Sequence, residues 1–238
     1  MEFWLTFQDK FNTAFLVGDR WKMYFKGVAT TAQVTVFALL MGVALGVLVA
    51  VVRTAHDQQR PGSKSFLLGL LNLICQTYTT VIRGTPMIVQ MLIMGSVVFA
   101  SSRNFTLIGT IALGINSGAY VAEIVRGGLM SVDIGQSEAG RSLGLGYLDT
   151  MRFIIIPQAF KNILPALSNE FITLFKDTAL ISTIGGKELL WAAKAVGGKT
   201  FDLMFPLLGV AVIYLILVMI FTWLQGKLEK KLRESDRH

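Results

Sequence analysis

The chain has 238 residues, a net charge of +7 at pH 7 and 53% hydrophobic residues. That apolar share exceeds what a soluble domain of this length needs for a core, so the surplus must face lipid. The basic excess does not indicate a nucleic-acid binder, because apolar runs separate the charges and basic loops beside membrane spans explain them.

Phe3, Phe7, Phe11 and Phe15 recur every four residues, with Trp4 beside them and Glu2, Asp9, Lys10 and Asn12 elsewhere. This is an amphipathic helix with an aromatic face, suited to the membrane surface or to docking on the rest of the protein. No cleavable signal sequence is expected over Met1–Lys10, which carries Glu2 and Asp9 and lacks a long apolar run.

Val28–Val52 is uncharged and long enough to cross a bilayer. Gly42 and Gly46 give it a small-residue face for close helix contact. Arg53, His56, Arg60 and Lys64 follow as a basic loop with Pro61-Gly62 as its turn. Ser65–Ile82 and Gly84–Ser102 are two further uncharged runs divided by Arg83. Two spans there would put Arg126, Arg141, Arg152 and Lys161 on the face opposite Arg53, Arg60 and Lys64. One interrupted crossing puts all seven on a single face, as the positive-inside bias favours. About 38 residues at about 1.5 Å each exceed the hydrocarbon core, so the first half must lie partly along the interface.

Phe105–Ala122 is the next span, closed by Glu123 and Arg126. A long cytoplasmic loop follows, about residues 127–161. Ile163–Ile184 is apolar but carries Glu170, Lys176 and Asp177, and Leu203–Gly226 is a clean final span before Lys227, Lys230, Lys231 and Arg233. The expectation is an all-α membrane protein in a single domain over 1–238. It has five transmembrane helices, the amphipathic N-terminal helix and a helix in the loop, with its N-terminus outside and C-terminus cytoplasmic.

Charged groups within a span cost roughly 2.5 to 3.5 kcal/mol each on insertion scales, so they face a cavity or a partner. Asn116, Tyr120 and Glu123 stand at i, i+4 and i+7, and Glu170, Thr173 and Asp177 at i, i+3 and i+7, two helical stripes. Facing stripes of carboxylates, an amide and hydroxyls could hold a zwitterion. The carboxylates would take its ammonium group, and Asn116, Ser117 or Thr173 would give donors to its carboxylate. The plainer alternative is an ion pair of Lys176 with Glu123 or Asp177. Glu123 stands so near Arg126 that a salt bridge between them is expected.

Ala193–Thr200 reads A-x-x-x-x-G-K-T, close to a phosphate-binding loop. That loop needs a strand before it, and residues 185–191 make no convincing one, so Lys187, Lys194 and Lys199 are read as external surface. The lone Cys75 permits no intrachain disulfide, and His56 and His238 are too isolated for a metal pair. No catalytic constellation is found, and the chain is expected to catalyse nothing itself.

The polar stretch Glu138-Ala139-Gly140-Arg141-Ser142-Leu143-Gly144, followed by Ile154 and Pro157, resembles the shared cytoplasmic loop of ABC importer permeases. That loop reads E-A-A, three residues, G, nine residues, I-x-L-P. Gly140 stands where the second Ala is expected, which would loosen the loop helix, and Ile156 where Leu is expected. Arg83-Gly84-Thr85-Pro86, Asn116-Ser117-Gly118-Ala119-Tyr120, Arg126-Gly127-Gly128 and Asn169-Glu170 resemble the polar amino acid branch of these permeases.

The resemblance implies an inner-membrane permease subunit working by alternating access. Glu170 would lie in the translocation path with Asn116, Ser117, Tyr120, Thr173 and Asp177. Glu138, Ala139, Gly140, Arg141 and Gly144 would couple to a separate ATP-binding cassette ATPase. ATP and Mg would be held by that ATPase and no cofactor by this chain. The other implied partners are an extracytoplasmic amino acid-binding protein, a second permease subunit (alike or different) and membrane lipid, with no nucleic acid. The rival readings are an ion-coupled secondary transporter using Glu170, Lys176 and Asp177 as a relay, and a non-transporting membrane scaffold.

Overall fold

A computed structural model describes residues 2–59 and 65–234, which form helices and short turns with no strand among them. Arg60, Pro61, Gly62 and Lys64, expected as a basic turn, lie outside the described residues, as do the side chains of Glu2, Phe3, Trp4 and Arg233.

Helix α1 (Glu2–Phe11) leads through a π-helical turn, Asn12–Leu16, towards α2 (Trp21–Asp57). Helix α2 overruns the apolar segment Val28–Val52 at both ends, because no proline interrupts its polar flanks. Helix α3 (Phe66–Gly84) starts at Ser65, whose hydroxyl accepts the Leu68 N–H at 3.4 Å. It stops where the residue before a proline must be extended: Thr85 has φ −118° and ψ 145°. Helix α4 (Met87–Ile93) then runs into a π turn at Met94–Val98.

Helix α5 (Phe105–Met130) is followed by the loop helices α6 (Ile134–Ser142) and α7 (Tyr147–Thr150) and by α8 (Ile156–Asp177), which 3-10 turns extend to Ile184. Pro157 lies in the first turn of α8, where a missing N–H costs nothing, so it helps start that helix and does not break it. Helices α9 (Leu189–Thr200) and α10 (Met204–Glu234) complete the chain.

By length and composition α2, α3, α5 and α10 can each cross a membrane. Helix α8, the expected fourth crossing, is not among them, since Glu170, Lys176 and Asp177 dilute its apolar content. Helix α3 qualifies by itself, although the charge argument shares one crossing between α3 and α4.

The described residues divide into two compact units built from separate stretches of chain. The first comprises Met1–Ala38, Pro86–Leu113 and Ile172–Thr222. Its core gathers Tyr24, Leu189, Ala192, Ala193, Val196 and Val210. The aromatic face of α1 meets α10: the Phe7 and Phe205 rings lie 5.1 Å apart, edge to face, and Phe15 fills the space left by Gly209. Phe7 and Phe11 nonetheless stay 43% exposed, so the face both docks and borders its surroundings.

The stretch Ala193–Thr200 lies inside α9 with Ala193, Val196 and Gly197 buried. Its amides serve the helix and form no phosphate cradle. Lys187, Lys194 and Lys199 are exposed.

The second unit comprises Leu39–Thr85, Gly114–Phe171 and Trp223–His238. Here the small face of α2 works as expected. A methyl on Gly42 would lie 2.7 Å from Ser117 Oγ, and one on Gly46 would lie 2.6 Å from Val121 Cβ and 2.8 Å from the Ala122 nitrogen. Only glycine lets α2 and α5 approach this closely.

Candidate functional site

Asn116, Ser117, Tyr120 and Glu170 fall in the second unit, while Thr173 and Asp177, further along α8, fall in the first. Within the second unit the structure joins the two stripes at one point: Ser117 Oγ donates to Glu170 Oε1 at 2.8 Å. Ser117 is fully buried behind Gly42, Asn116 is 8% exposed, Glu170 is half-buried and Tyr120 is 39% exposed. A serine has one O–H, so Ser117 orients the Glu170 carboxylate with the proton expected to serve a substrate carboxylate. The tyrosine of α3 closes the same region, Tyr78 donating to the Ile115 carbonyl at 2.6 Å with its hydroxyl packed on Gly118.

Glu123, the far end of the α5 stripe, belongs to a different cluster. Arg53 of α2 pairs with it, Arg126 Nε lies 3.5 Å away and Arg83 Nη1 3.9 Å away. The pair with Arg126 is as expected. Among the described residues the cations found against Glu123 are arginines. Arg126 also approaches Asp57 at 3.9 Å, and the Arg83 guanidinium lies 5.5 Å from the Tyr120 ring centroid. Sequence reasoning did not find this cluster. Its members are far apart in the chain, and only the docking of α2 and α3 on α5 assembles them.

The loop stretch is a capped helix. Asp133, unremarked in the sequence, caps α6 by accepting the Gly135 N–H at 2.6 Å. At the other end Gly144 takes φ +79°, its N–H bonds to the Arg141 carbonyl and the Leu145 N–H reaches back to the Gly140 carbonyl at 3.0 Å. That pattern needs a left-handed residue after the helix, which is why glycine stands there.

Gly140 does not interrupt α6. It is buried, and a methyl there would lie 2.9 Å from Thr150 Cγ2 and Oγ1, so the missing side chain admits α7. Glu138, Ala139 and Arg141 are exposed. So are the large apolar residues Ile134 (77%), Leu143 (79%) and Leu148 (78%) around them. Gln158 ties α8 to α6 by donating to Gln136 Oε1 at 3.2 Å, and Tyr147 donates to Gln58 at the end of α2.

Residues 65–234 match the family described as binding-protein-dependent transport system inner membrane component. The chain belongs to that family. It is a multi-pass inner-membrane transport component, which sets aside the scaffold and ion-coupled readings. A Rickettsia bellii (strain RML369-C) protein bearing the name of a glutamine transport system permease, GlnP, is 37% identical to this permease, over 87% of this chain and 91% of its own. The arginine transport system permease protein ArtQ of Bacillus subtilis (strain 168) is 35% identical, over 89% and 93%. A crystal structure of an amino acid ABC transporter with histidines superposes at a TM-score of 0.79 with 37% identity, covering 88% of this chain and 94% of that one.

Proposed function

We propose that this permease carries a polar amino acid across the inner membrane as part of an ATP-driven importer. One observation carries the reading: a half-buried carboxylate, Glu170, is held by a buried hydroxyl, Ser117, between two helices of a transport component. A carboxylate so held is a receiver for an ammonium group, and its partial burial strengthens that attraction. Asn116 and Tyr120 line the α5 side; Thr173 and Asp177 continue the α8 stripe along the path. The names of the relatives, for glutamine and arginine transport, point to the same substrate class.

The driving force comes from a separate ATPase subunit, which holds ATP and Mg. Helix α6, with Glu138, Ala139, Gly140, Arg141 and Gly144, seats in a groove of that subunit, and exposed Ile134, Leu143 and Leu148 supply apolar contact beside the charges. The chain spans the membrane five times, α3 and α4 sharing one crossing, with the N-terminus outside and the C-terminus cytoplasmic. A binding protein delivers the amino acid from outside, and a second permease subunit completes the path. To swing the path from 1:99 to 99:1 outward-facing, ATP must favour one state by about 5.5 kcal/mol.

The test is uptake by proteoliposomes holding the permease, its ATPase and its binding protein. Glu170→Ala is expected to abolish ATP-dependent uptake of L-glutamine and L-arginine while the subunits still co-purify. Undiminished uptake by that variant removes Glu170 from the path.

A further inference from the structure

We propose that a cavity between α1 and the turn joining α9 to α10 holds the headgroup of an amine-bearing phospholipid, of the phosphatidylethanolamine type. The cavity measures about 570 Å³ and lies wholly within the first unit. That volume falls in the roughly 300–1,000 Å³ range of small-ligand sites. Its walls come from two stretches far apart in the chain, residues 9–14 and 200–206. These residues belong neither to the proposed path nor to the loop that meets the ATPase.

The polar lining carries both signs of charge. Lys10 Nζ stands 3.1 Å from Asp202 Oδ2 and 5.9 Å from the Phe205 ring centroid, which fixes its ammonium at the cavity wall. Asp202 is itself fixed, its Oδ1 accepting the Met204 N–H at 2.9 Å. An ammonium has three N–H groups and the pair with Asp202 uses one, which leaves donors for a phosphate. Asp9 lines the same cavity, and among the described lining residues the two carboxylates outnumber the one lysine. A purely anionic headgroup is repelled there, whereas one that joins a phosphate to a primary ammonium meets both signs. The Thr200 hydroxyl gives its proton to the Val196 and Asp202 carbonyls, so its oxygen is left to accept an N–H.

The surroundings of the cavity are those of a lipid boundary. It sits at the head of α10, which is long and apolar enough to cross a membrane, and Leu203, Met204 and Leu208 are exposed there. Phe201 closes α9 in the left-handed region, at φ 55° and ψ 22°, where glycine is the usual residue. Its side chain is nevertheless 97% exposed. A strained backbone that presents an aromatic ring outward calls for a surface to receive the ring. The acyl chains of a lipid whose headgroup fills the cavity supply that surface. A free phosphoethanolamine would use the same polar groups and leave Phe201 uncovered.

Native mass spectrometry of the delipidated permease–ATPase complex in detergent, titrated with dioctanoyl phosphatidylethanolamine, phosphatidylcholine or phosphatidylglycerol, tests this assignment. The wild type is expected to bind the ethanolamine lipid about 10-fold more tightly than the other two, the value of a charge-assisted contact. The choline nitrogen has no N–H, and the glycerol headgroup has no amine. Lys10→Gln and Asp9→Asn should each weaken the ethanolamine lipid about 10-fold. Phe201→Gly should weaken it too, in a complex that melts like the wild type, because glycine accepts the left-handed backbone. Equal affinity for the three lipids, or variants that bind as the wild type does, overturns the assignment. Free phosphoethanolamine that binds as tightly as the lipid also overturns it, in favour of a soluble ligand. Loss of binding-protein capture by Phe201→Gly with lipid binding intact overturns it in favour of a protein contact. Should Lys10→Gln not assemble, Asp9→Asn decides by the lipid ratio: a reduced ethanolamine preference supports the assignment and an unchanged one rejects it.

Discussion

Each unit centres a polar knot on a carboxylate, and the two are neutralised by opposite means. Glu188, in the first unit, has no exposed surface. It accepts the Trp191 N–H at 2.6 Å and the Leu190 N–H at 2.7 Å, capping α9, and the Tyr214 hydroxyl at 3.2 Å. Nearby the Leu189 N–H reaches Thr31, and α9 lies so close to α2 that a methyl on Gly27 would come 2.8 Å from Leu189 Cα. Glu123, in the second unit, is 25% exposed and sits among arginines.

A buried carboxylate that accepts two backbone N–H groups and a hydroxyl within its own unit ties α9 to α10. A carboxylate set among arginines is held by charge and stays in partial contact with solvent. The first kind of knot is held by hydrogen bonds away from water, the second by charge beside it. Neither kind is recognisable from the presence of a glutamate alone.

The largest expected effect breaks the hydrogen-bonded knot. Glu188→Ala strips the acceptor from two backbone N–H groups and a tyrosine hydroxyl away from water, an expected loss of about 2–4 kcal/mol. It would be read as a marked fall in the melting temperature of the purified protein; a change too small to resolve would show that the knot holds nothing together. Glu123→Gln should cost less, about 1–2 kcal/mol, because its partners remain partly solvated. The comparison sharpens with salt: the Glu123→Gln penalty should shrink between about 0.05 and 0.5 M NaCl, while the Glu188→Ala penalty should not. Equal salt dependence would erase the distinction drawn here.

The smallest effects lie in acid. Burial pushes the Glu188 carboxyl above the usual carboxylate range, against the pull of the two backbone N–H groups, the Tyr214 hydroxyl and Lys194. The folded chain therefore keeps that proton to higher pH than the unfolded chain. Its contribution to stability is greatest below the unfolded pKa of about 4.3 and falls away as pH rises through the folded value. Asp202, half-buried at the foot of α10, behaves oppositely. A hydrogen bond from Lys10 (Nζ–Oδ2 3.1 Å) holds its carboxyl below the usual range. That contribution is present above a pKa of about 3.9 and disappears as pH falls through the folded value. Melting curves from pH 6 to 3 should show Asp202→Asn flattening the acid limb slightly and Glu188→Gln steepening it. The reverse order would contradict both assignments.

Much of the chain was legible before its structure. The spans that read clearly, Val28–Val52 and Leu203–Gly226, became α2 and α10, because an uncharged run of that length has no other stable conformation in lipid. Gly42 and Gly46 were legible as a packing face, and Glu138 to Gly144 as a helix with its stop. Helix α8 was harder to assign to the bilayer, since Glu170, Lys176 and Asp177 obscure the signal by which spans are found. In the candidate site Glu170 and Ser117 were each named, but from different stripes and for different partners, and their hydrogen bond was not foreseen. Glu188 passed without a role because one carboxylate beside a turn has no periodicity to betray it.

Local chemistry thus determined what each stretch of this protein is: apolar length made helices for lipid, Pro86 ended α3, and Gly144 ended α6. Tertiary structure alone decided which polar groups meet. Arg53, Arg83 and Glu123 come from three helices, and Glu188 and Tyr214 stand 26 residues apart. Their pairing depends on helix rotation and depth of packing, which glycines such as Gly27, Gly42 and Gly46 set through contacts no single segment contains.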